Sequence, residues 1–299
     1  PSIVAGSITT LDSVICFNSI AQLSLASTSG GDSNYIYSWE RFDDQTMSWV
    51  TAAGATNTTS YTSPALTLDQ QYRVRVNSGC SVEDTTSIKL MDVADEFISG
   101  SILGVDTICY NTIPSVLTAT AFSGGRLPYS FQWQRRAAGT ANWSNVGTNS
   151  ITYQESTALI ASQEYQVIVT SSDNCGSLTS GIKSIVVRDS IIPAVVGSNQ
   201  TICYGTAPAS LSISIIATGA DDNFTYEWQS SPNGVSAWTN TGSLGLNYAP
   251  GVLTNTTWYR VMVTNSLCAV TKYSNSIAVY VRPSIVAGSI TTLDSVICF

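Results

Sequence analysis

The chain has 299 residues, only 11% of them charged, with a formal net charge of −8 and no histidine. An acidic chain excludes nucleic acid and anionic membrane as electrostatic partners, the missing histidine removes the commonest general base and zinc ligand, and no apolar run approaches the ~20 residues of a bilayer span. The length suits two or three domains. Few charges and abundant Ser, Thr and Asn suit an extracellular all-β protein. The acidity is thinly spread and reads as solubility.

The first 17 residues, PSIVAGSITTLDSVICF, return letter for letter at 283–299. The chain therefore reads as a section of a longer periodic polypeptide. No signal peptide is visible, as expected of a section from inside a mature protein.

In chain order, Val14-Ile15-Cys16 is followed by Leu23-Ser24-Leu25, which alternates as a strand. Tyr35-Ile36-Tyr37-Ser38-Trp39 then lines one strand face with aromatics, Trp49 comes ten residues after Trp39, and Tyr61, Tyr72-Arg73-Val74-Arg75-Val76 and Cys80 complete the series. The series returns as Ile108-Cys109, Leu117-Thr118-Ala119, Tyr129–Trp133, Trp143, Tyr153, Tyr165–Val169 and Cys175. It returns again as Ile202-Cys203, Leu211-Ser212-Ile213, Phe224–Trp228, Trp238, Tyr248, Tyr259–Val263 and Cys268, with Ser276–Val281 as a closing strand. Successive first cysteines, Cys16, Cys109, Cys203 and Cys298, lie 93, 94 and 95 residues apart. Three divergent repeats thus span 1–93, 94–187 and 188–282, and 283–299 begins a fourth.

Period-2 alternation dominates each repeat, and no stretch carries a 3.6-residue apolar period. About seven short strands in about 94 residues predict tandem immunoglobulin-like β-sandwiches. The joints Met91–Phe97, Val187–Pro193 and Val281–Ile285 are not Gly/Ser linkers, and two contain proline. Such joints predict a stiff rod.

Paired cysteines in this composition predict disulfides. One pairing lies within repeats: Cys16–Cys80, Cys109–Cys175 and Cys203–Cys268. The immunoglobulin topology argues against it. The first cysteine precedes the second strand and the second follows the sixth, so they sit at opposite poles, about 20–25 Å apart. A disulfide needs Cα atoms within about 7 Å. The other pairing staples neighbours, Cys16–Cys175 and Cys109–Cys268, and leaves Cys80 and Cys203 for partners outside the three repeats; Cys298 opens the fourth. Both remain open at this level.

Trp39, Trp133 and Trp228 fall where this fold buries a tryptophan and are read as structural core. Trp49, Trp143 and Trp238 suit a half-exposed edge strand, where a ring could also stack on a sugar. Asp43-Asp44, Asp221-Asp222 and Asp92 with Asp95-Glu96 lack the alternating spacing of a calcium loop and read as turn residues. No catalytic motif or cofactor fingerprint occurs, and neither an enzyme nor a cofactor or metal is expected. Sequons stand at Asn57, Asn142, Asn199, Asn223 and Asn255.

Gly100-Ser101-Ile102, Thr107-Ile108-Cys109-Tyr110, Tyr129–Gln134, the tryptophan ten residues on, and Tyr259–Thr264 with Cys268 carry a resemblance. The repeats resemble the immunoglobulin-like repeats of giant Bacteroidetes surface proteins, among them gliding-motility adhesins and type IX secretion cargo. The resemblance implies O-glycosylation at Asp-Ser/Thr followed by a small or aliphatic residue, hence at Ser13, Thr85, Thr107, Ser190 and Ser295. It implies a secreted, surface-displayed filament whose partners are further repeats of the same polypeptide or neighbouring copies. The rival expectation is a module gripping surface glycans through exposed aromatics. An accessory region of a carbohydrate-active enzyme is a third.

Overall fold

The computed structural model describes residues 2–79 and 83–291, so Cys80, Ser295 and Cys298 lie outside the described residues. All described elements are strands or single bridges, as in immunoglobulin-like sandwiches. The chain divides into two compact units, one of residues up to Asp106 with Ile113–Val186, the other of Thr107–Thr112 with residues from Val187 onward.

The first unit holds the sandwiches of repeats one and two. In repeat one the smaller sheet orders Ser7–Thr9, Gln22–Ala26 and Ser60–Thr62, all antiparallel. The larger orders Val14–Ile15, Lys89–Val93, Gln70–Ser78, Tyr35–Asp43 and Ser48–Thr51, with Glu83–Thr85 beside Gln70–Ser78. The opening strand thus changes sheets: Ser7–Thr9 pairs in one, then Val14–Ile15 runs parallel to the closing strand in the other. Repeat two uses Ser101–Leu103, Leu117–Thr120 and Thr152–Tyr153 for its small sheet. Lys183–Val187, Gln163–Thr170, Ser130–Ala137 and Ser144–Val146 form its large one.

In the second unit, Val195–Val196, Leu211–Ile215 and Asn247–Tyr248 face a sheet of Gln200–Cys203, Ile277–Arg282, Thr257–Asn265, Thr225–Ser231 and Thr239–Leu244. Here the parallel pairing covers four residues, from Gln200↔Val279 to Cys203↔Arg282.

The recurring aromatics explain why three divergent sequences keep one fold. Trp39, Trp133 and Trp228 are each 0% exposed. Each indole N–H is satisfied by a carbonyl, of Thr58 at 2.9 Å, Ser150 at 2.8 Å and Gly245 at 3.2 Å. A tyrosine lies against each indole: Tyr61 at 5.5 Å, Tyr153 at 5.8 Å and Tyr248 at 5.9 Å between ring centroids. A second tyrosine, Tyr72, Tyr165 or Tyr259, completes the row. Such rows combine large apolar burial with offset or tilted ring contacts.

Burial pushes the hydroxyls of Tyr72, Tyr153 and Tyr259 up from 10.0 to about 12, with neighbouring Tyr61, Glu155 and Tyr248 adding to the shift. These rings ionise more readily in the unfolded chain than in the folded one. Stability is therefore intact below the ordinary tyrosine value and falls as pH rises from about 10 toward 12. The loss is on the order of 2 kcal/mol each for buried Tyr72 and Tyr259 and less for half-buried Tyr153, whose charge water screens. Circular dichroism and tyrosinate absorbance recorded together against pH should show buried rings ionising only as sheet signal is lost. Full ionisation with the fold intact would contradict this account.

Candidate functional site

The site is the joint between repeats. In the first unit it is built where the chain leaves repeat one. Asp95–Ile98 does not hang free: it pairs antiparallel with Ser123–Gly125 of repeat two. Phe97 packs against Tyr129 at 5.5 Å, and the Tyr129 hydroxyl donates to the Gly124 carbonyl at 2.5 Å. Arg126 reaches back to repeat one's closing strand, pairing with the Asp92 carboxylate at 2.8 Å and donating to its carbonyl at 3.2 Å. The Arg126 backbone is gripped by Ser171, whose hydroxyl accepts from its N–H at 2.6 Å and donates to its carbonyl at 3.0 Å. A polar residue ending the Gln163–Thr170 strand thereby fixes the loop that holds the neighbour.

Cys16 follows Val14–Ile15 directly and is bonded to Cys175, with a Cα–Cα distance of 5.1 Å. Cys109 follows Thr107–Ile108 in the same way and is bonded to Cys268, in the second unit, at 5.7 Å. Both bonds span 159 residues and join the first cysteine of one repeat to the second of the next. Cys203 is exposed and has no disulfide partner among the described residues. The cleft beside Cys16–Cys175, lined by Phe17, Phe97 and Leu178, measures about 230 Å³. That beside Cys109–Cys268, lined by Tyr110, Ile191 and Lys272, measures about 210 Å³. Both fall below the roughly 300–1,000 Å³ of small-molecule sites, while an open groove at the first joint, lined by Asp92, Asp95, Gly125 and Arg126, measures about 540 Å³.

A glycine recurs at each incoming chain, at Gly30, Gly124 and Gly219. A Cβ on Gly124 (φ +73) would lie 1.8 Å from the Glu96 carbonyl oxygen, and one on Gly30 (φ +80) 2.0 Å from that of Ser2. On Gly219 it would meet the Ser190 oxygen at 2.4 Å. Sequence reasoning missed these positions. The signal was present, since they follow the first cysteines by 14, 15 and 16 residues, in step with the other landmarks.

The second tryptophans are half-buried, and each carries a guanidinium over its ring: Arg73 on Trp49 at 4.3 Å, Arg136 on Trp143 at 4.4 Å and Arg260 on Trp238 at 4.3 Å. Arg73 and Arg260 come from equivalent strands. Repeat two has Gln166 at that place, and Arg136 supplies the cation from the strand holding Trp133. One face of each ring is thus taken up by a cation–π contact.

Ser13, Thr85, Thr107 and Ser190 are exposed. Ser13 and Thr107 are not equivalent, however. Lys89 donates to Ser13 at 2.7 Å and Lys183 pairs with Asp106, which puts Ser13 in register with Asp106.

Among the described residues no three His, Cys, Asp or Glu side chains converge to hold a metal. Asp43 accepts from the Gln45 N–H at 3.2 Å and Asp222 from that of Gly219 at 2.8 Å, as turn residues do. Asp92, Asp95 and Glu96 lie instead in the strands Lys89–Val93 and Asp95–Ile98, because the joint itself is paired, and Asp92 faces Arg126. Asp221 accepts from the buried Asn265 amide at 2.5 Å, which holds its carboxyl below the usual range.

A family model described as Domain of unknown function (DUF8696) matches residues 4–94, 98–189 and 192–283. No curated protein sequence matches the chain. Similar solved structures include a part of a 1.5-MDa bacterial ice-binding adhesin, 12% identical, covering 95% of this chain and 99% of that one with a TM-score of 0.49. Three N-terminal domains of the bacteriophage RB49 Highly Immunogenic Outer Capsid protein are 16% identical, covering 94% and 99% with a TM-score of 0.40. The FN1–FN3 domains of chicken CNTN1 are 12% identical, covering 94% and 98% with a TM-score of 0.33.

Proposed function

We propose that this chain, which belongs to the DUF8696 family through each of its three repeats, is a structural and adhesive segment of an extracellular bacterial surface filament. One observation carries the proposal: both described disulfides run between repeats and not within them. A disulfide that secured only a sandwich would sit inside it. These two make the joint covalent, which is what a load-bearing array of small domains needs. The Asp92–Arg126 pair and the Asp95–Ile98 pairing support the same reading. Cys203, placed like Cys16 and Cys109, takes the second cysteine of a further repeat or neighbouring copy.

The finer reading is a Bacteroidetes gliding-motility or type IX secretion product, glycosylated at Ser13, Thr85, Thr107 and Ser190. It rests on the sequence resemblance and on the exposure of those hydroxyls. Antibodies against the three repeats should label intact producing cells along filaments, and the native protein's intact mass should carry hexose-sized increments. Labelling only after permeabilisation would overturn the surface reading, and an unmodified mass would remove the glycan claim. On a glycan array the three-repeat chain should be inert. Binding that disappears on Trp143→Ala would favour the glycan-gripping alternative.

A further inference from the structure

The two disulfides interleave. Cys109 lies inside the loop closed by Cys16–Cys175, and Cys175 inside that closed by Cys109–Cys268. Mechanically, each bond fuses two distant points. Cys16 and Cys175 become one node, and Cys109 and Cys268 become another.

Three stretches of chain connect these nodes in parallel: 16–109, 109–175 and 175–268. The shortest is 109–175, about 66 residues, and at ~3.5 Å per extended residue it caps the separation of the nodes at about 230 Å. Without the bonds, Cys16 and Cys268 could part by about 252 residues, or about 880 Å.

We propose that the interleaved disulfides act as a length limiter that shields most of the array from extension. Pulling on the chain loads 109–175, and does so backward, from Cys175 toward Cys109. That stretch holds the middle repeat's core, including Trp133, Tyr153 and Tyr165. The stretches 16–109 and 175–268 can unfold and slacken, but neither can become taut before 109–175 does. Unfolding within 16–109 or 175–268 therefore adds nothing to the separation of the two nodes, and only the tails outside them lengthen freely.

Reduction removes the limiter. Each cystine accepts two electrons and two protons from a dithiol, which is oxidised to its own disulfide, and four cysteine thiols result. The same polypeptide then changes from short-reach to long-reach with no other covalent change. This inference deepens the load-bearing reading and rests on it for its purpose. The limit itself follows from connectivity alone.

Single-molecule pulling of the 299-residue chain by its two ends tests it, oxidised and then in dithiothreitol. The oxidised chain should reach a contour of about 390 Å and the reduced chain about 1,050 Å, a change of about 2.7-fold. An oxidised contour near the reduced value would overturn the proposal. Cys16→Ser separates the two pairings in the same instrument. With Cys109–Cys268 alone remaining, the contour should be about 490 Å, whereas within-repeat pairs would give about 585 Å and sink the limiter. Should the limit hold while the protein proves absent from cell surfaces, the surface reading fails and the limiter stands. Should the limit fail on a surface-displayed filament, the reverse applies.

Discussion

Trp133→Ala is expected to destabilise the second repeat by about 3–5 kcal/mol, the range for truncating a fully buried large aromatic. Trp133 is 0% exposed, its N–H bond to Ser150 is 2.8 Å, and its ring lies 29° from the plane of Tyr153. Alanine leaves a cavity that neighbours of low mobility cannot fill, because Tyr153 and Tyr165 are held in turn. The Tyr165 hydroxyl donates to buried Glu155 at 2.8 Å, and Glu155 also receives Arg135 at 2.8 Å.

Trp143→Ala is the comparison. It removes a half-buried ring and its contact with Arg136, at about 1–2 kcal/mol. With three sandwiches in one chain, a single global unfolding energy is not defined. The measurement is hydrogen exchange of the Gln163–Thr170 amides. Trp133→Ala should accelerate them strongly and leave Thr257–Asn265 unaffected. Equal effects from the two tryptophan substitutions would refute the division into core and surface rings.

The fold was legible because alternation and recurrence act together. An apolar residue at every second position specifies a half-buried strand, and three copies of one series remove the ambiguity of any single run. Two local features escaped. The opening strand is split, Ser7–Thr9 from Val14–Ile15, because changing sheets lets it pair with both Gln22–Ala26 and Lys89–Val93, and no periodicity announces such a change. The arginine over the second tryptophan escaped because it moves between strands: Arg73 and Gln166 align in sequence, yet Arg136 does in repeat two what Arg73 does in repeat one.

The cysteines mark a different limit. Spacing alone allowed both pairings, and the choice depends on which pole of the sandwich each turn occupies, a property of topology and not of local sequence. The glycines at 30, 124 and 219 were hidden for a related reason. In a loop rich in Ser and Gly a glycine looks like composition, and only the approach of another strand's backbone gives it a task.

That task yields the second large effect. Gly124→Ala is expected to detach Asp95–Ile98 from repeat two, because a Cβ 1.8 Å from the Glu96 carbonyl oxygen, with Glu96 carbon at 2.6 Å, meets main chain and not a movable side-chain tip. Positive φ adds a cost of about 1 kcal/mol for any side chain. Losing the strand pairing, the Phe97–Tyr129 contact and part of the Tyr129–Gly124 bond should bring the total to about 3 kcal/mol or more. Gly139 provides the control, since its φ of +77 is similar and nothing lies within 4 Å of its Cβ direction. Gly139→Ala should cost about 1 kcal/mol. Hydrogen exchange and limited proteolysis across 94–98 read the difference: rapid exchange and cleavage in Gly124→Ala, protection in Gly139→Ala. With Cys16–Cys175 intact, repeats one and two should stay covalently joined after cleavage at 94–98 and separate only on reduction. Protection of 95–98 in Gly124→Ala would mean that the close approach is not what sets the joint, and release of the two repeats without reductant would mean that the staple does not cross it.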